Sequence, residues 1–232
     1  MPMPRRVIPE LLDDDLGTEA EIAASLVDLR RINNWFGGTK TTVALLHQVA
    51  ERSARRSLSL LEVGAGTGDV PAGAASALER SGIELRITLL DRMWTHLPTR
   101  GMRVSGDALQ LPFRDGTFDV VSCTLFAHHF EPDQLRQFTT EALRVCQRAV
   151  LINDLIRSRL HLALVYAGLP LFRGRITWHD APASVRRGYT CEEMQEILYG
   201  LPATRLSMSK HYLYRMGVLV WKESDARDMR SS

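Results

Sequence analysis

The stretch Leu-Leu-Glu-Val-Gly-Ala-Gly-Thr-Gly-Asp-Val-Pro at residues 60–71 decides the fold of this 232-residue chain. An apolar run leads into three alternate glycines, Gly64, Gly66 and Gly68, and then into residues that can begin a helix. Glycine permits positive φ and has no Cβ, so a ligand can approach bare backbone at the C-terminal end of a strand. The pattern therefore predicts a strand, a ligand-binding loop and a helix.

Two phosphate-binding loops fit this pattern poorly. A dinucleotide fingerprint has its third glycine three positions after the second, where this chain has Asp69. A Walker loop ends in Gly-Lys followed by Ser or Thr, and this stretch has no such ending. The glycines therefore favour a ligand other than the phosphates that these two loops hold.

Two carboxylates follow the glycine loop at the ends of predicted strands. Asp91 ends the apolar run at residues 85–90, where a carboxylate can hold a ribose diol through two charge-assisted hydrogen bonds. NAD-binding folds share that feature. Asp107 closes a short third strand, and residues 118–123 indicate a fourth, fully buried strand.

In this order the elements resemble the class I S-adenosylmethionine-dependent methyltransferases, over about residues 58–155. The resemblance implies that Glu62 helps hold the amino-acid end of the cofactor, and that Asp91 binds the ribose. It implies that Asp107 accepts a hydrogen bond from the adenine amine. The other cofactor contacts that it implies are the glycine loop itself and Ala65, Arg92, Ala108 and Cys123.

The resemblance also implies the architecture. We expect an α/β, Rossmann-like class I methyltransferase sandwich, with a seven-stranded, mainly parallel sheet and a C-terminal antiparallel hairpin. An N-terminal helical cap would span residues 1–57 and the core residues 58–222, with a lid insertion at about 155–189. Residues 223–232 are expected to be a flexible tail.

Local patterns predict several elements within this plan. Apolar spacing predicts helices over residues 19–31 and 41–52, and Thr190 with Glu193 forms a capping box before a late helix that extends to Leu198. Residues 1–15 show no such spacing and are expected to be flexible. The hairpin strands are predicted around residues 212–214 and 218–221.

A finer resemblance is to the small-molecule branch near the ubiquinone and menaquinone methyltransferases, and to bacterial methyltransferases found alongside polyketide synthases. The segments that carry it are residues 28–33, 127–130, 150–155 and 179–187. It implies methylation of an aromatic or polyketide-like hydroxyl, with C-methylation of a quinol or phenol ring as the alternative. The chain departs from the family at residues 144–148, where a Leu-Arg-Pro-Gly-Gly-type turn is expected.

Candidate catalytic residues follow the fourth strand. His128 and His129 lie at the rim where open α/β sheets bind ligands, and a histidine base can deprotonate a hydroxyl near neutral pH. Either imidazole can instead hydrogen-bond a loop carbonyl. The candidate acceptor-binding residues are Asp154, Arg157, His161 and His179, although Asp154 can also cap a helix and His161 can be a core histidine.

The apolar stretch at residues 160–172 is interrupted only by His161, Gly168 and Pro170. It is too short to span a bilayer, which needs about 18 apolar residues or more. We expect it to form a roof over the acceptor, and an attachment to a membrane surface is the lesser alternative.

Charge, motifs and cysteine spacing argue against nucleic acid and metal ions as partners of this chain. The formal charge of +2 gives no strong field for nucleic acid, and Ser-Cys-Thr-Leu-Phe at residues 122–126 replaces the Asn/Asp-Pro-Pro-Tyr-like turn of base methyltransferases. The spacing of the three cysteines fits neither a zinc site nor a disulfide framework, so no metal is expected. The sequence thus predicts a cytoplasmic monomer or homodimer acting on a small molecule. A non-catalytic adenosylmethionine-binding module and a redox enzyme are further alternatives.

Overall fold

A seven-stranded sheet forms the centre of the structure, a computed structural model that describes residues 3–202 and 204–223. The strands are β1 (Ser57–Val63), β2 (Glu84–Asp91), β3 (Met102–Ser105), β4 (Phe118–Thr124), β5 (Cys146–Leu155), β6 (Thr204–His211) and β7 (Arg215–Lys222). Their order across the sheet is β3-β2-β1-β4-β5-β7-β6. Strands β1 to β5 are parallel, and β7 is antiparallel to both β5 and β6. The predicted Rossmann-like fold is confirmed.

Helices cover both faces of the sheet. They are α1 (Glu19–Trp35), α2 (Gly38–Arg52), α3 (Asp69–Glu79), α4 (Pro132–Val145), α5 (Arg159–Gly168), α6 (Arg175–Arg187) and α7 (Cys191–Leu198). Successive strand residues point to opposite faces, so Leu60 packs in the layer under α2 and α3 and Leu61 in the layer under α4 and α7. The central strand β4 is buried along its whole length, as is typical of a parallel sheet covered on both sides.

Several local predictions agree with the structure. The capping box before α7 is present, since the Thr190 amide donates to Glu193 across 2.9 Å and the Glu193 amide donates to the Thr190 hydroxyl across 3.2 Å. The first predicted helix extends to Trp35, and the second begins at Gly38. At residues 144–148, where the chain lacks the turn that is typical of the family, α4 continues directly into β5 at Cys146.

One of the two predicted hairpin runs was misplaced. The run at residues 218–221 lies within β7, but residues 212–214 form the turn between β6 and β7, where Tyr214 adopts a positive φ of 54°. Strand β6 itself carries polar residues such as Ser207 and Ser209, which weakened its signal in the sequence. Residues 224–232 of the predicted tail lie outside the described residues.

The N-terminal segment packs on the protein, so the prediction of flexibility is wrong for residues 3–15. The Arg6 amide donates to the Arg186 carbonyl across 3.0 Å. The amides of Leu11 and Leu12 donate to the two carboxylate oxygens of Asp180 in α6, across 2.9 and 3.0 Å. These contacts hold the segment through its backbone amides. Because backbone groups are the same in every residue, the side-chain pattern of the sequence could not predict these contacts.

The segment predicted as a lid insertion, residues 155–189, contains α5 and α6, which lie near α1 at the C-terminal edge of the parallel strands. Asp28 of α1 is buried, and its Oδ2 accepts hydrogen bonds from the amides of Arg173 (3.1 Å) and Gly174 (2.9 Å) just before α6. This contact fixes α1 against the lid. No helix in the described part of the chain is both long enough and apolar enough to cross a membrane.

Candidate active site

The glycine loop joins β1 to α3 at the C-terminal edge of the sheet. Gly64, Gly66 and Gly68 have φ values of 65°, 50° and 69°, a region that favours glycine. A Cβ at Gly64 would lie 2.5 Å from the Phe126 ring, whereas a Cβ at Gly66 would meet nothing within 4 Å. Gly66 therefore presents bare backbone to open space, as the sequence predicted.

Asp91, at the end of β2, contacts this loop. Its Oδ2 accepts a hydrogen bond from the Gly66 amide across 2.8 Å, and its Oδ1 accepts one from the Met93 amide across 2.9 Å. Asp107 is exposed, and its Oδ1 accepts from the Leu109 amide across 2.8 Å. Each carboxylate oxygen can accept two hydrogen bonds, so both side chains keep capacity for a ligand.

Glu62 lies beneath the loop and is only 1% exposed. It accepts a hydrogen bond from the Ser122 hydroxyl, and no cationic side chain of the described residues pairs with it. Burial outweighs the hydrogen bonds from Ser122 and Thr124 and raises the pKa of Glu62 to about 7. A buried carboxylate beside the cavity and without a counter-charge fits the ammonium group of an amino acid.

A cavity of about 420 Å³ joins these residues to the histidines after β4. The predicted site residues that line it are Glu62, Gly64, Ala65, Gly66, Asp91, Arg92, Asp107, Ala108, His128 and His129. Gly68 is outside the lining, since its α-carbon faces the Leu89 side chain, 2.7 Å from the position of a Cβ. The structure therefore brings most of the predicted cofactor and catalytic residues to one cavity.

His128, His129 and Glu10 meet at the other end of this cavity and are called the His–Glu cluster below. The Glu10 Oε1 atom lies 3.4 Å from Nε2 of His128 and 3.9 Å from Nε2 of His129. Each histidine is oriented through Nδ1, which lies 2.8 Å from Asp154 for His128 and 2.9 Å from Asp13 for His129. Both Nε2 atoms thus point toward one carboxylate.

The charges in this region are closely coupled. Burial disfavours the imidazolium form of His128, but the carboxylates of Asp154 and Glu10 outweigh it and raise the pKa of His128 to about 10. For Glu10 and Asp154, burial alone would raise the pKa, but their contacts with His128 outweigh burial, so both pKa values are lowered. Arg187 lies beside the cluster, 3.6 Å from Asp13.

A smaller apolar pocket of about 140 Å³ lies under α5 and shares Leu125, Leu155 and Ser184 with the main cavity. Its roof is formed by Leu164, Val165, Gly168, Leu169 and Phe172 from the predicted roof segment. His161 also lines it, stacked 5.1 Å from the Tyr214 ring. Burial and the nearby guanidinium of Arg215, which also lines this pocket, lower the pKa of His161.

Five predicted site residues line neither cavity: Gly68, described above, and Cys123, Asp154, Arg157 and His179. Cys123 is fully buried in the core between β4 and its helices, while the next residue, Thr124, faces the cavity. His179 is exposed on α6, with Nδ1 2.8 Å from Asp180. Successive residues of β4 point to opposite faces of the sheet, so Cys123 points away from the cavity. His179 lies on the solvent-exposed side of α6.

Arg157 is another of these residues. Its guanidinium donates to the carbonyls of Met3 (2.8 Å) and Gly188 (2.6 Å). Its Nη2 group pairs with Glu193, so all three nitrogens of the guanidinium have partners inside the protein. Asp154 is buried too and holds the amide and the ring of His128, so it does not face an acceptor directly.

Several residues of the site gave no signal in the sequence. Glu10 and Asp13 lie in a segment without periodicity, more than a hundred residues before the histidines that they contact. Leu125, which lines both cavities, adopts a positive φ of 53°. Such strain in a residue other than glycine costs about 1–3 kcal/mol and is concentrated at functional sites.

The sequence and the structure were compared with known proteins. A family model described as a methyltransferase domain matches residues 61–152. No curated protein matches the sequence significantly.

Three solved structures illustrate the likeness of fold. The plantazolicin methyltransferase BpumL in complex with SAH has a TM-score of 0.67 at 10% identity, over 92% of this chain and 94% of that chain. A SAM-dependent methyltransferase from Aquifex aeolicus has a TM-score of 0.53 at 14% identity, over 77% of this chain and 88% of its own. Magnesium protoporphyrin IX methyltransferase (ChlM) from Synechocystis PCC 6803 has a TM-score of 0.50 at 16% identity, over 81% and 84%.

Proposed function

We propose that this chain, an S-adenosylmethionine-dependent methyltransferase, methylates a hydroxyl group of a small aromatic or polyketide-like acceptor. The observation that carries the proposal is the continuity of the main cavity. One end has the glycine loop and the acidic residues Glu62, Asp91 and Asp107, and the other has the His–Glu cluster beside an apolar pocket. A methyl donor and a polar atom of an apolar acceptor can meet in such a cavity.

The cofactor end offers complementary groups for each part of S-adenosylmethionine. Glu62 would pair with the ammonium group, and the bare backbone at Gly66 would lie against the cofactor. Asp91 would accept from the ribose hydroxyls and Asp107 from the adenine amine. When bound, S-adenosylmethionine supplies a methyl group on a positively charged sulfur, which is the electrophile of the reaction.

The acceptor end combines an apolar wall with a polar cluster. The roof residues of α5 would hold a flat or extended apolar body, which favours aromatic or polyketide-like molecules over sugars or free amino acids. The His–Glu cluster lies at the edge of that body. An acceptor hydroxyl placed there would be aligned by the walls of the cavity, and alignment alone can contribute several kcal/mol to the rate.

The cluster would favour the ionised form of that hydroxyl. His128 and His129 present Nε2 atoms whose rings are fixed by Asp154 and Asp13, so these atoms need no reorganisation to reach an acceptor oxygen. The hydroxyl proton would pass to Nε2 of His129, and His128, whose pKa is raised to about 10, would face the remaining negative charge as an imidazolium. Such assistance typically contributes a factor of about 10²–10⁴.

Product analysis tests this function. The protein is incubated with S-adenosylmethionine labelled with ¹³C in the methyl group and with a panel of phenols, hydroxyquinones and hydroxylated polyketide-like molecules. We expect a labelled methoxy carbon in the product. A labelled ring methyl would favour the alternative, C-methylation through a phenolate. Cofactor binding without transfer to any member would contradict the proposal and favour a binding module.

A further inference from the structure

We propose that Glu10, His128 and His129 bind a divalent transition-metal ion such as Zn²⁺ at the acceptor end of the cavity. The residues offer one carboxylate oxygen and two imidazole nitrogens that lie within 4.8 Å of one another. Two imidazoles and one carboxylate form a common ligand set for Zn²⁺ and other transition metals. The inference deepens the proposed function, on which its catalytic role rests: the ion, bound by both Nε2 atoms, would contact the acceptor oxygen in their place and stabilise its ionised form, with the proton released to solvent. The binding of the ion can be measured by itself.

The distances suit a cation at the centre of the cluster. Ligand atoms about 2.0–2.1 Å from Zn²⁺ in a tetrahedral arrangement lie about 3.3 Å apart. The Glu10 carboxylate oxygen lies 3.4 Å from Nε2 of His128 and 3.9 Å from Nε2 of His129. Contractions of up to about 0.6 Å would bring these two distances to that value, and all three ligand atoms lie within 4.8 Å of one another.

Carboxylates lie at Nδ1 of both histidines, as they do beside many metal-ligating histidines, and Nη1 of Arg187 also lies 3.3 Å from Nδ1 of His129. A ligating histidine usually donates its second ring N–H to a carboxylate, which fixes the ring. Asp154 lies 2.8 Å from Nδ1 of His128, and Asp13 lies 2.9 Å from Nδ1 of His129. Both Nε2 atoms are thereby directed toward the same carboxylate.

An unsatisfied atom points independently to a ligand. His128 is only 2% exposed, and its Nε2 atom is buried without a hydrogen-bond partner. Buried polar atoms without partners are rare, and each one calls for an explanation. An ion between His128 and Glu10 would give this nitrogen a partner.

The charges also favour a divalent cation. The carboxylates of Glu10, Asp13 and Asp154 carry three negative charges, and Arg187 beside Asp13 supplies one positive charge. The buried Arg215 near Asp154 supplies a second positive charge, so with neutral imidazoles one net negative charge remains in this largely buried region. A net negative charge favours a cation, and the open positions of a divalent ion would face the cavity where we place the acceptor hydroxyl.

Metal titration tests the inference. Chelator-treated full-length protein is titrated with Zn²⁺ by calorimetry and with Co²⁺ by visible absorbance. We expect one equivalent of each ion to bind, and Mg²⁺, which prefers oxygen ligands, to bind far more weakly. Glu10→Gln and His129→Asn should weaken Zn²⁺ binding by roughly a hundredfold or more, and Asp154→Asn by roughly 10–100-fold.

The control is His179→Asn, which removes an exposed histidine outside the cavity and should leave Zn²⁺ binding unchanged. Melting temperatures check the fold of each variant, and His129→Asn remains informative if the more buried Glu10 cannot be replaced. The inference is overturned if the wild-type protein binds no equivalent of Zn²⁺ or Co²⁺, or if binding survives in the folded His129→Asn variant. Methyl transfer by the metal-free protein would leave the proposed function standing without the metal.

Discussion

The amide of Gly66 donates a hydrogen bond to the Asp91 carboxylate across 2.8 Å, so the end of β2 holds the glycine loop that follows β1. This contact joins the two sequence features that predicted a cofactor site. In the proposed function Asp91 would therefore have two tasks, to shape the loop and to bind the ribose. Experiments on the loop therefore need controls that separate shape from binding.

Gly66→Ala is expected to weaken cofactor binding roughly tenfold or more, because the added methyl group would enter the cavity. The strain of a positive φ should also cost about 1–2 kcal/mol of stability. Gly82→Ala is the matched control, since Gly82 has a φ of 72°, equally open surroundings and no place in the cavity lining. Equal affinity of the two variants for S-adenosylhomocysteine in calorimetry would argue against a cofactor at Gly66.

Glu62→Gln should change how stability depends on pH. The pKa of Glu62 is raised from 4.5 to about 7, so between these values the folded protein binds a proton that the unfolded chain does not. Stability is therefore lost as pH rises from about 4.5 to about 7, by an amount on the order of 3 kcal/mol. Denaturant unfolding should show this slope reduced in Glu62→Gln. The exposed Glu79→Gln should keep it, and an unchanged slope in Glu62→Gln would be inconsistent with a buried, uncompensated carboxylate.

Leu164→Ser tests the roof of the acceptor pocket. Leu164 lines the apolar pocket but is 44% exposed, so its replacement should raise the acceptor KM up to about tenfold with little loss of stability. Leu160→Ser, on the same helix but outside the lining, should leave KM unchanged. Phe172→Ser would instead unfold part of the core, because Phe172 is buried. If steady-state kinetics show the same KM for Leu164→Ser and Leu160→Ser, the pocket does not hold the acceptor.

His128→Asn and His129→Asn should each lower turnover by about 10²–10⁴-fold and leave cofactor affinity almost intact. The reason is that both side chains lie at the acceptor end of the cavity. The loss should shrink at high pH, where the acceptor hydroxyl ionises without help. Single-turnover rates with an identified acceptor provide the measurement, and rates near wild type for both variants would assign the histidines a structural role.

The cofactor half of the site could be predicted because its residues are close in sequence to regular elements. The glycine loop follows β1 directly, and Asp91 ends β2, so strand patterns alone place both at one edge of the sheet. The fold could be predicted for the same reason. Cys123 shows the limit of this approach. A position near the end of a predicted strand does not say which face of that strand a side chain takes, and Cys123 faces the core.

The acceptor half depends on contacts between distant segments, and the sequence does not show these. Glu10 reaches the histidines only because Asp180 holds the preceding N-terminal segment by its backbone amides. Arg157 was a reasonable acceptor ligand by its position after β5, yet carbonyl groups from two other segments take its donors. The hydrogen-bond partners of polar side chains in this part of the chain are set by tertiary packing. Apolar periodicity in the sequence does not show these partners.

The central claim is that the Gly64–Gly68 loop and Asp91 hold S-adenosylmethionine, and calorimetry with S-adenosylhomocysteine on the Asp91→Ala variant tests it most directly. Losing two hydrogen bonds to a carboxylate, at about 1.5–3 kcal/mol each, should weaken binding a hundredfold or more. Asp119→Ala is the control, because Asp119 also accepts from a backbone amide, that of Ser59, but lies outside the cavity. The account predicts tight binding to the wild-type protein and to Asp119→Ala, and a loss in Asp91→Ala. Unchanged affinity in a folded Asp91→Ala protein would contradict it.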